Sequence, residues 1–546
     1  FPGYDGIDSP GVLMENVYGT STLNNMAGGV ISASGADGYA FAVVGSNAVE
    51  TINNSGRILG DVALLGGNDV FNNKAGGVWD VGATTYSDFG DGNDTLDNAA
   101  GGQVLLNGGH IAFGAGDDTV NNAGLIKMTN SSISMGPMVP LFAPLAAETN
   151  VFNNTGTLQV IGSNSIDTYG GTFNNTGLVN FQNGVTSDSL TLDGTLAGAG
   201  AMNIDVNLNT NTADQLVVNG DVAANAKQTV NVQFTGLPTS MTTDIAFANV
   251  SGTSAAGNFV AGQFIGYNAN ANFLTLGLAV NSAINTANTA DDVFSISMSV
   301  NGLSDSGSLG ASTASGMAGF MNAQMGTFRQ RLGVNPYGDA GKVMSAFVRV
   351  YADQGDVSQK HASNFGNGGY FDFDTASWGR EVGVNANLFG NFHAGLTFGS
   401  ADGRQRLTGA GVGMNRMDGL TWGWYATWLD PQGFYVDLSG RWMAVDVKST
   451  SIAGPSETRA HTGAWNLEAG YQWTLGGLSV VPQLHYTRTE VEDVRTLHGQ
   501  LADFEGHGGT SERARVGVEI SKTFTAGNVR WTPYGSINAI REFDGD

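Results

Sequence analysis

The chain has 546 residues, no cysteine, 81 glycines and a formal net charge of −25. One compact core cannot absorb that length, so several units are expected. So acidic a chain also lacks the basic face that nucleic-acid binding requires, and nucleic acid is excluded as a partner.

Charge and aromatics are uneven. Residues 1–300 hold 24 Asp+Glu against 4 Lys+Arg, whereas residues 301–546 hold 24 against 19. Trp79 is the sole Trp of the first 300 residues, and the other eight follow residue 377. Two different environments are implied. The chain opens at Phe1 without the basic and apolar regions of a signal peptide, and it reads as a fragment. Zero Cys suits an exported protein that avoids misoxidation, although many cytosolic proteins also lack Cys. No 18-residue apolar run exists, which excludes a transmembrane helix but leaves a strand-built barrel open.

The first element is a repeat. FGDGNDTLDN (89–98) looks like one turn of a calcium-binding repeats-in-toxin sequence, with Asp94 as a candidate ligand. Self-alignment shows that the recurring part is an apolar residue followed by an Asn pair. The copies are Leu23-Asn24-Asn25, Ile52-Asn53-Asn54, Phe71-Asn72-Asn73, Leu96-Asp97-Asn98, Val120-Asn121-Asn122, Phe152-Asn153-Asn154 and Phe173-Asn174-Asn175. The second Asn recurs at intervals of 29, 19, 25, 24, 32 and 21, and only three copies carry an acidic prefix, at Asp69, Asp94 and Asp118. Repeats-in-toxin sites need consecutive nine-residue turns. The longer, irregular period suits one rung of a parallel β-helix. In that reading the apolar residue points inward, and the Asn pair makes the corner and stacks into a ladder. A β-sandwich with coincidental Asn-Asn turns is the alternative.

From about 187 the repeat changes. Residues 189–234 alternate apolar and polar, with Leu216, Val218, Val230 and Val232 on strands. This stretch is a candidate cap for the last open rung. Ser304-Asp305-Ser306-Gly307-Ser308 reads as a flexible linker. In 311–334, Met317, Phe320, Met321, Gln324, Phe328 and Leu332 share helical spacing, with Arg329 and Arg331 placed to suit the helix dipole. Gly316 and Gly319 make the helix marginal alone, so it should be enclosed by something.

Long two-faced strands follow. Val382, Val384, Ala386 and Leu388 alternate with Glu381, Gly383, Asn385 and Asn387. Trp422, Trp424, Ala426 and Trp428 alternate with Thr421, Gly423, Tyr425 and Thr427; DPQG (430–433) then turns the chain. Similar alternation recurs at 434–442, 465–473, 480–487 and 515–521. A soluble sandwich also has a wet and a dry face. Strands of ten residues or more, Trp and Tyr near their ends, and short turns alternating with polar loops (402–416, 493–510) favour a membrane barrel.

A helix and then an antiparallel barrel, after an Asn/Gly-rich β-helix, resembles the autotransporters of type V secretion over nearly the whole chain. KVMSAFVRVYADQGDV (342–357) looks like the family's first barrel strand and REVGVNANLFGNFHAGLTFG (380–399) like its second hairpin. Residues 317–333 resemble the helix that threads the pore, and 189–280 the junction that helps the passenger fold.

The resemblance implies an all-β chain: a right-handed parallel β-helix passenger (1–188), a junction (189–300), a linker and pore helix (301–340), and an outer-membrane β-barrel (341–546). It implies twelve barrel strands with a terminal aromatic. Nine or ten are counted here before Asp546, so about two closing strands and that signal are expected to lie beyond it. The implied activity is export of the chain's own passenger, driven by folding of rungs outside the cell. The implied partners are outer-membrane lipid, the outer-membrane assembly machinery, periplasmic chaperones and a surface ligand of unknown identity. Some relatives cut themselves at an Asn-Asn pair in the pore helix; here Asn322 is followed by Ala323.

Enzyme signals are weak. Gly252-Thr253-Ser254-Ala255-Ala256 resembles a subtilisin-like nucleophile segment, but its Asp-His partners are not apparent. No H-x-x-x-H motif or Cys pair supports a metal site. We therefore expect no catalytic residue, cofactor or metal. His485 reads as a polar lining residue of the pore. Two other readings stay open: the same translocator delivering an upstream enzyme, and a calcium-responsive secreted repeat protein.

Overall fold

The computed structural model describes residues 10–16, 18–32, 41–82, 86–136, 148–236, 242–266, 273–286, 290–332, 343–360, 370–408, 413–451, 454–497, 504–527 and 529–545. The chain separates into two units, Phe1–Tyr267 with Gly277–Ser299, and Asn268–Leu276 with Val300–Asp546.

The first unit is a parallel β-helix with three strand columns per rung. Strands Asp61–Leu65, Val70–Asn73 and Val78–Val81 make one rung, and Tyr86–Asp88, Thr95–Asn98 and Gln103–Asn107 make the next, pairing in parallel. Successive copies of the repeat align residue for residue: Ile52, Phe71, Leu96, Val120, Phe152 and Phe173 stand in one register column and are buried. Inward aromatics pack within a rung, with ring centroids 4.5 Å apart for Phe71 and Trp79, and between rungs, at 4.6 Å for Phe89 and Phe113. That buried column drives the folding of this unit.

The Asn pair lies in extended strand ends, not in a left-handed corner. Its value is therefore in its side-chain amides. The first Asn faces outward and the second is buried. The buried amides form a continuous ladder, Asn25 to Asn54, Asn73, Asn98, Asn122, Asn154 and Asn175, at 2.8–2.9 Å per step, ending on Gln228 at 2.7 Å. Each Nδ2 along most of this ladder also donates to a backbone carbonyl of the third column, such as Asn98 to Leu125 at 3.1 Å. Asn98→Ala should lower passenger stability by roughly 2–3 kcal/mol, because it leaves buried partners unpaired. Asp97→Ala, in the half-buried outer row where Asp97 accepts from Asn121 at 2.7 Å, should cost less, about 0.5 kcal/mol. Urea unfolding midpoints of the two variants check the contrast.

The change after 187 is not the end of the parallel helix. Strand Ser189–Ala197 pairs in parallel with Gln215–Asn219, and Gln228–Thr235 pairs in parallel with Phe259–Phe264. The parallel stack ends where Asp292–Leu303 runs antiparallel to Thr242–Val250.

The second unit holds one antiparallel sheet wrapped around a helix. Its strands are Met344–Lys360, Tyr370–Asn387, Phe392–Leu407, Gly413–Leu429, Phe434–Ser451, Gly454–Tyr471, Leu478–Val491, Gly509–Lys522 and Tyr534–Gly545. Each pairs with the next, and among the described residues the first and last strands do not pair with each other. Val348, Val382, Phe398, Trp422 and Trp442 meet in register across five strands, and all are exposed on the outer face. The Trp422 and Trp442 rings stack at 4.6 Å. On the strands Gly413–Leu429, Phe434–Ser451 and Gly454–Tyr471, Thr421, Tyr425, Asp437, Arg441 and Glu468 are buried on the inner face. An apolar exterior around a polar interior inverts a soluble protein and matches a bilayer-spanning sheet. No helix among the described residues is long and apolar enough to cross a membrane.

The polar stretches 402–416 and 493–510 are only partly loops. Strands continue through Asp402–Leu407 and from Gly413, and Val494–Leu497 pairs with Phe504–Gly506. Backbone ladders need no apolar side chains, so the strands run on past the apolar band.

Candidate functional site

The interior of the second unit is filled by α1 (Asp305–Met325) and α2 (Phe328–Leu332). Ser304 caps α1, its Oγ accepting from the Gly307 amide at 3.2 Å. The Ser/Gly stretch expected to be a flexible linker is therefore the first turn of the helix. The helix breaks at Gly326, whose backbone is left-handed (φ 55°), before α2 begins. Met317, Phe320, Met321, Gln324 and Phe328, which the periodicity singles out, are all buried.

Small residues let α1 pass close to the wall. A Cβ on Gly316 would lie 2.3 Å from Gln405 Oε1. The upper lining is apolar and rich in methionine: Met317, Met321 and Met325 of the helix meet Met417, Met443, Val445 and Val447 of the wall.

Below it the lining is charged. Arg329 Nε pairs with Glu519 at 2.7 Å and its Nη1 reaches Gln472 at 2.9 Å. Arg331 pairs with Asp437, whose other oxygen accepts from Thr427 at 2.5 Å. Glu468 accepts from the Phe328 amide at 2.8 Å and the Tyr435 hydroxyl at 2.7 Å. Arg349 pairs with Glu381 at 2.9 Å, and Arg441 holds the other oxygen of the same carboxylate. The two arginines expected to complement a helix dipole instead tie α2 to carboxylates on the wall. Sequence spacing could not show this, because the partners are more than 100 residues away. His485 faces inward, 3.4 Å from Glu468 and 2.7 Å from Arg515.

Removing one partner of a buried pair leaves an uncompensated charge. Asp437→Leu should therefore free Arg331 and loosen α2 by about 3 kcal/mol. The amides of 328–332 would then exchange with solvent roughly 100-fold faster by hydrogen-exchange mass spectrometry.

The other motifs do not assemble a reacting centre. Asn322 lies within α1; its Oδ1 accepts from Thr489 at 2.8 Å and its Nδ2 faces Ser511 at 3.5 Å. Ser254 Oγ donates to Asp292 at 2.5 Å, and Thr253 donates to Asp221 at 2.7 and 2.8 Å. His110 sits five rungs earlier, beside Ser132 and Tyr86. At about 4.8 Å per rung it is far from Ser254.

Asp94 is fully buried, and its Oδ1 accepts from the Asp69 amide at 2.7 Å. Asp69 and Asp118 do the same for Glu50 and Asp94, at 2.6 and 2.9 Å, and Asn150 for Asp118 at 2.7 Å. The acidic prefixes thus form a second ladder rather than isolated ligands. Burial pushes Asp69 and Asp118 up to about 7 and Asp94 to about 8.

Residues 346–546 match the family model described as Autotransporter beta-domain. The "Probable autotransporter YfaL" of Escherichia coli (strain K12) is 28% identical over 242 residues, covering 43% of this chain and 18% of that protein. The "Pertactin autotransporter" of Bordetella bronchiseptica is 29% identical over 238 residues, covering 41% of this chain and 24% of that protein. The chain thus spans about a quarter or less of the length of these curated relatives. Among solved structures, the beta domain of the Bordetella autotransporter BrkA aligns with 18% identity and a TM-score of 0.31, covering 37% of this chain and 80% of that one.

Proposed function

We propose that the chain is an outer-membrane translocator that exports and displays its own N-terminal β-helix at the cell surface, with residues 346–546, which match the Autotransporter beta-domain model, as its membrane-embedded part. The observation that carries the reading is the coupling, in one chain, of a parallel β-helix to a sheet with an apolar exterior and a helix threaded along its interior. The displayed β-helix is read as adhesive or structural.

Export runs without ATP in the periplasm. An emerging rung adds backbone bonds and one more link to the Asn ladder to the rung before it, so folding outside disfavours return. The passenger carries few Lys and Arg against many carboxylates, and self-repulsion keeps the unfolded segment from collapsing before it crosses. Outer-membrane assembly machinery and periplasmic chaperones would deliver the unfolded barrel.

Protease shaving of intact cells tests this, with one tag near residue 30 and another in the 475–477 turn. Loss of the first tag and survival of the second are expected. Survival of both on intact cells, followed by loss after lysis, would return the chain to a periplasmic β-protein.

A further inference from the structure

Beyond the last apolar ring, the outer face of the sheet carries a row of bases. Arg404, Arg416 and Lys448 stand directly opposite one another on three adjacent strands, all exposed. Like charges in facing cross-strand positions repel. Among the described residues no carboxylate reaches ion-pair distance of Arg404 or Arg416, and Lys448 meets only the exposed Glu457, at 3.6 Å. Such a row is held at a cost unless an anion spans it.

Its height on the wall says which anion. Going outward on these three strands, the apolar run is interrupted after Ser400, Leu420 and Ala444. Next comes an acidic row, Asp402, Asp418 and Asp446, and two residues further the basic row. Asp446 is already held by both arms of Arg459, at 2.6 and 3.0 Å. A phosphate at the glycerol level of the bilayer would face the acidic row and be repelled. A phosphate carried further out on a sugar would clear it and meet the bases. Two residues advance the position by about 6.6 Å along the strand, or about 5 Å along the bilayer normal for a strand tilted by about 40°, which is the size of a sugar ring rather than of an atom. Trp378 pairs in register with Asp402 and is half exposed, and an open groove of about 610 Å³ runs past Trp378, Arg404, Arg416 and Lys448. An exposed flat ring beside a cationic row suits a phosphorylated sugar better than a simple phospholipid headgroup. Leu309, near the start of α1, packs against Phe373 and Leu407 at this end, so the chain enters the sheet interior here, and on the translocator reading this end faces the outer leaflet.

We propose that Arg404, Arg416 and Lys448 form a docking site for the phosphates of an anionic glycolipid in the outer leaflet, with Trp378 stacked against its sugar. The site rests on the translocator reading above, since it needs this sheet in a bilayer.

The test uses the full chain in phosphatidylcholine nanodiscs doped with a bis-phosphorylated glucosamine glycolipid, with lipid retained after detergent extraction counted by native mass spectrometry. Parallel arms carry the dephosphorylated glycolipid and phosphatidylglycerol. Retention of the phosphorylated glycolipid should fall roughly tenfold to hundredfold in R404Q/R416Q/K448Q. It should be unchanged in R530Q, which removes a charge at the opposite end, and nearly kept in R404K/R416K. Equal retention by the triple glutamine variant, or equal retention of phosphatidylglycerol or of the dephosphorylated glycolipid by the parent, overturns the proposal. Heat-modifiable gel mobility confirms that each variant is folded. Should the parent fail to enter the disc at all, the membrane reading itself falls and the site falls with it.

Discussion

Gly92→Ala is expected to unfold the rungs around it. Gly92 has φ of +148°, and a Cβ there would lie 1.4 Å from the Gly67 carbonyl oxygen of the preceding rung. Gly116, one rung on, stands in the same relation to Gly92, with 1.8 Å to its carbonyl oxygen. These turns stack backbone on backbone, so no side-chain rotation can relieve the clash. Both the backbone conformation and the contact must give, and a loss of roughly 4–5 kcal/mol is expected, at the far end of single substitutions. Stability in a solenoid is a sum over neighbours, so the damage should be local before it is global. Limited proteolysis should cut Gly92→Ala within about 61–122 while rungs near 200 stay protected. Gly76→Ala is the control. It also has a left-handed backbone (φ +81°), but no atom lies within 4 Å of the added Cβ. It should cost only about 1 kcal/mol. Equal stability of Gly92→Ala and Gly76→Ala would mean that the turns do not stack as described.

The passenger should be more stable at pH 5 than at pH 8, the reverse of what salt-bridged carboxylates produce. Asp69, Asp94 and Asp118 are buried in a column, and each leaves Oδ2 without a partner. Desolvation is the largest cause of their upward shifts, to about 7, 8 and 7. Their ordinary value is 3.8. Between that value and the raised one, the folded chain binds more protons than the unfolded chain. Stability therefore falls as pH rises through this window, and the loss is complete only above about 8. Summed over three groups the loss should be on the order of 5 kcal/mol or more. The same fold shows how to remove it. Asn150 fills the equivalent position on the next rung, accepting from Asp118 and donating to the Met135 carbonyl at 2.6 Å. Asp94→Asn should raise stability at pH 8 by roughly 2 kcal/mol and flatten the pH dependence of the unfolding midpoint. A parent profile that rises from pH 5 to pH 8 would show that the ladder stays ionised and solvated.

Several features were open to reading before any coordinates. The interval between second asparagines announced the rung, because a side-chain ladder demands one amide per turn whatever the loop length between them. Alternation from Thr421 to Trp428 announced a two-faced strand, and the number of Trp on one face announced a lipid-facing exterior. The spacing of Met317, Phe320, Met321, Gln324 and Phe328 announced an enclosed helix. Each of these signals is periodic and local, so it survives without knowledge of what lies opposite.

Other features had no local signal. Polarity at 402–416 read as loop, because hydropathy reports solvent and not hydrogen bonding, and the strand there simply leaves the bilayer while its ladder continues. Ser304 to Ser308 read as linker because its composition is that of a linker; one cap bond and an enclosing wall make it helix. The acidic prefixes stand in only three copies of the repeat, and their role was not legible because it lies in the amide of the preceding rung, 19 to 25 residues away. Sequence by itself therefore determined the periods, the faces and the order of elements, since these depend only on which side of the chain each residue occupies. Tertiary structure alone decided which charges meet: Arg329 with Glu519, Arg331 with Asp437, and Arg404 beside Arg416 and Lys448. Such meetings depend on strand register, a one-residue slip turns every side chain to the opposite face, and register is set only when the whole sheet has paired.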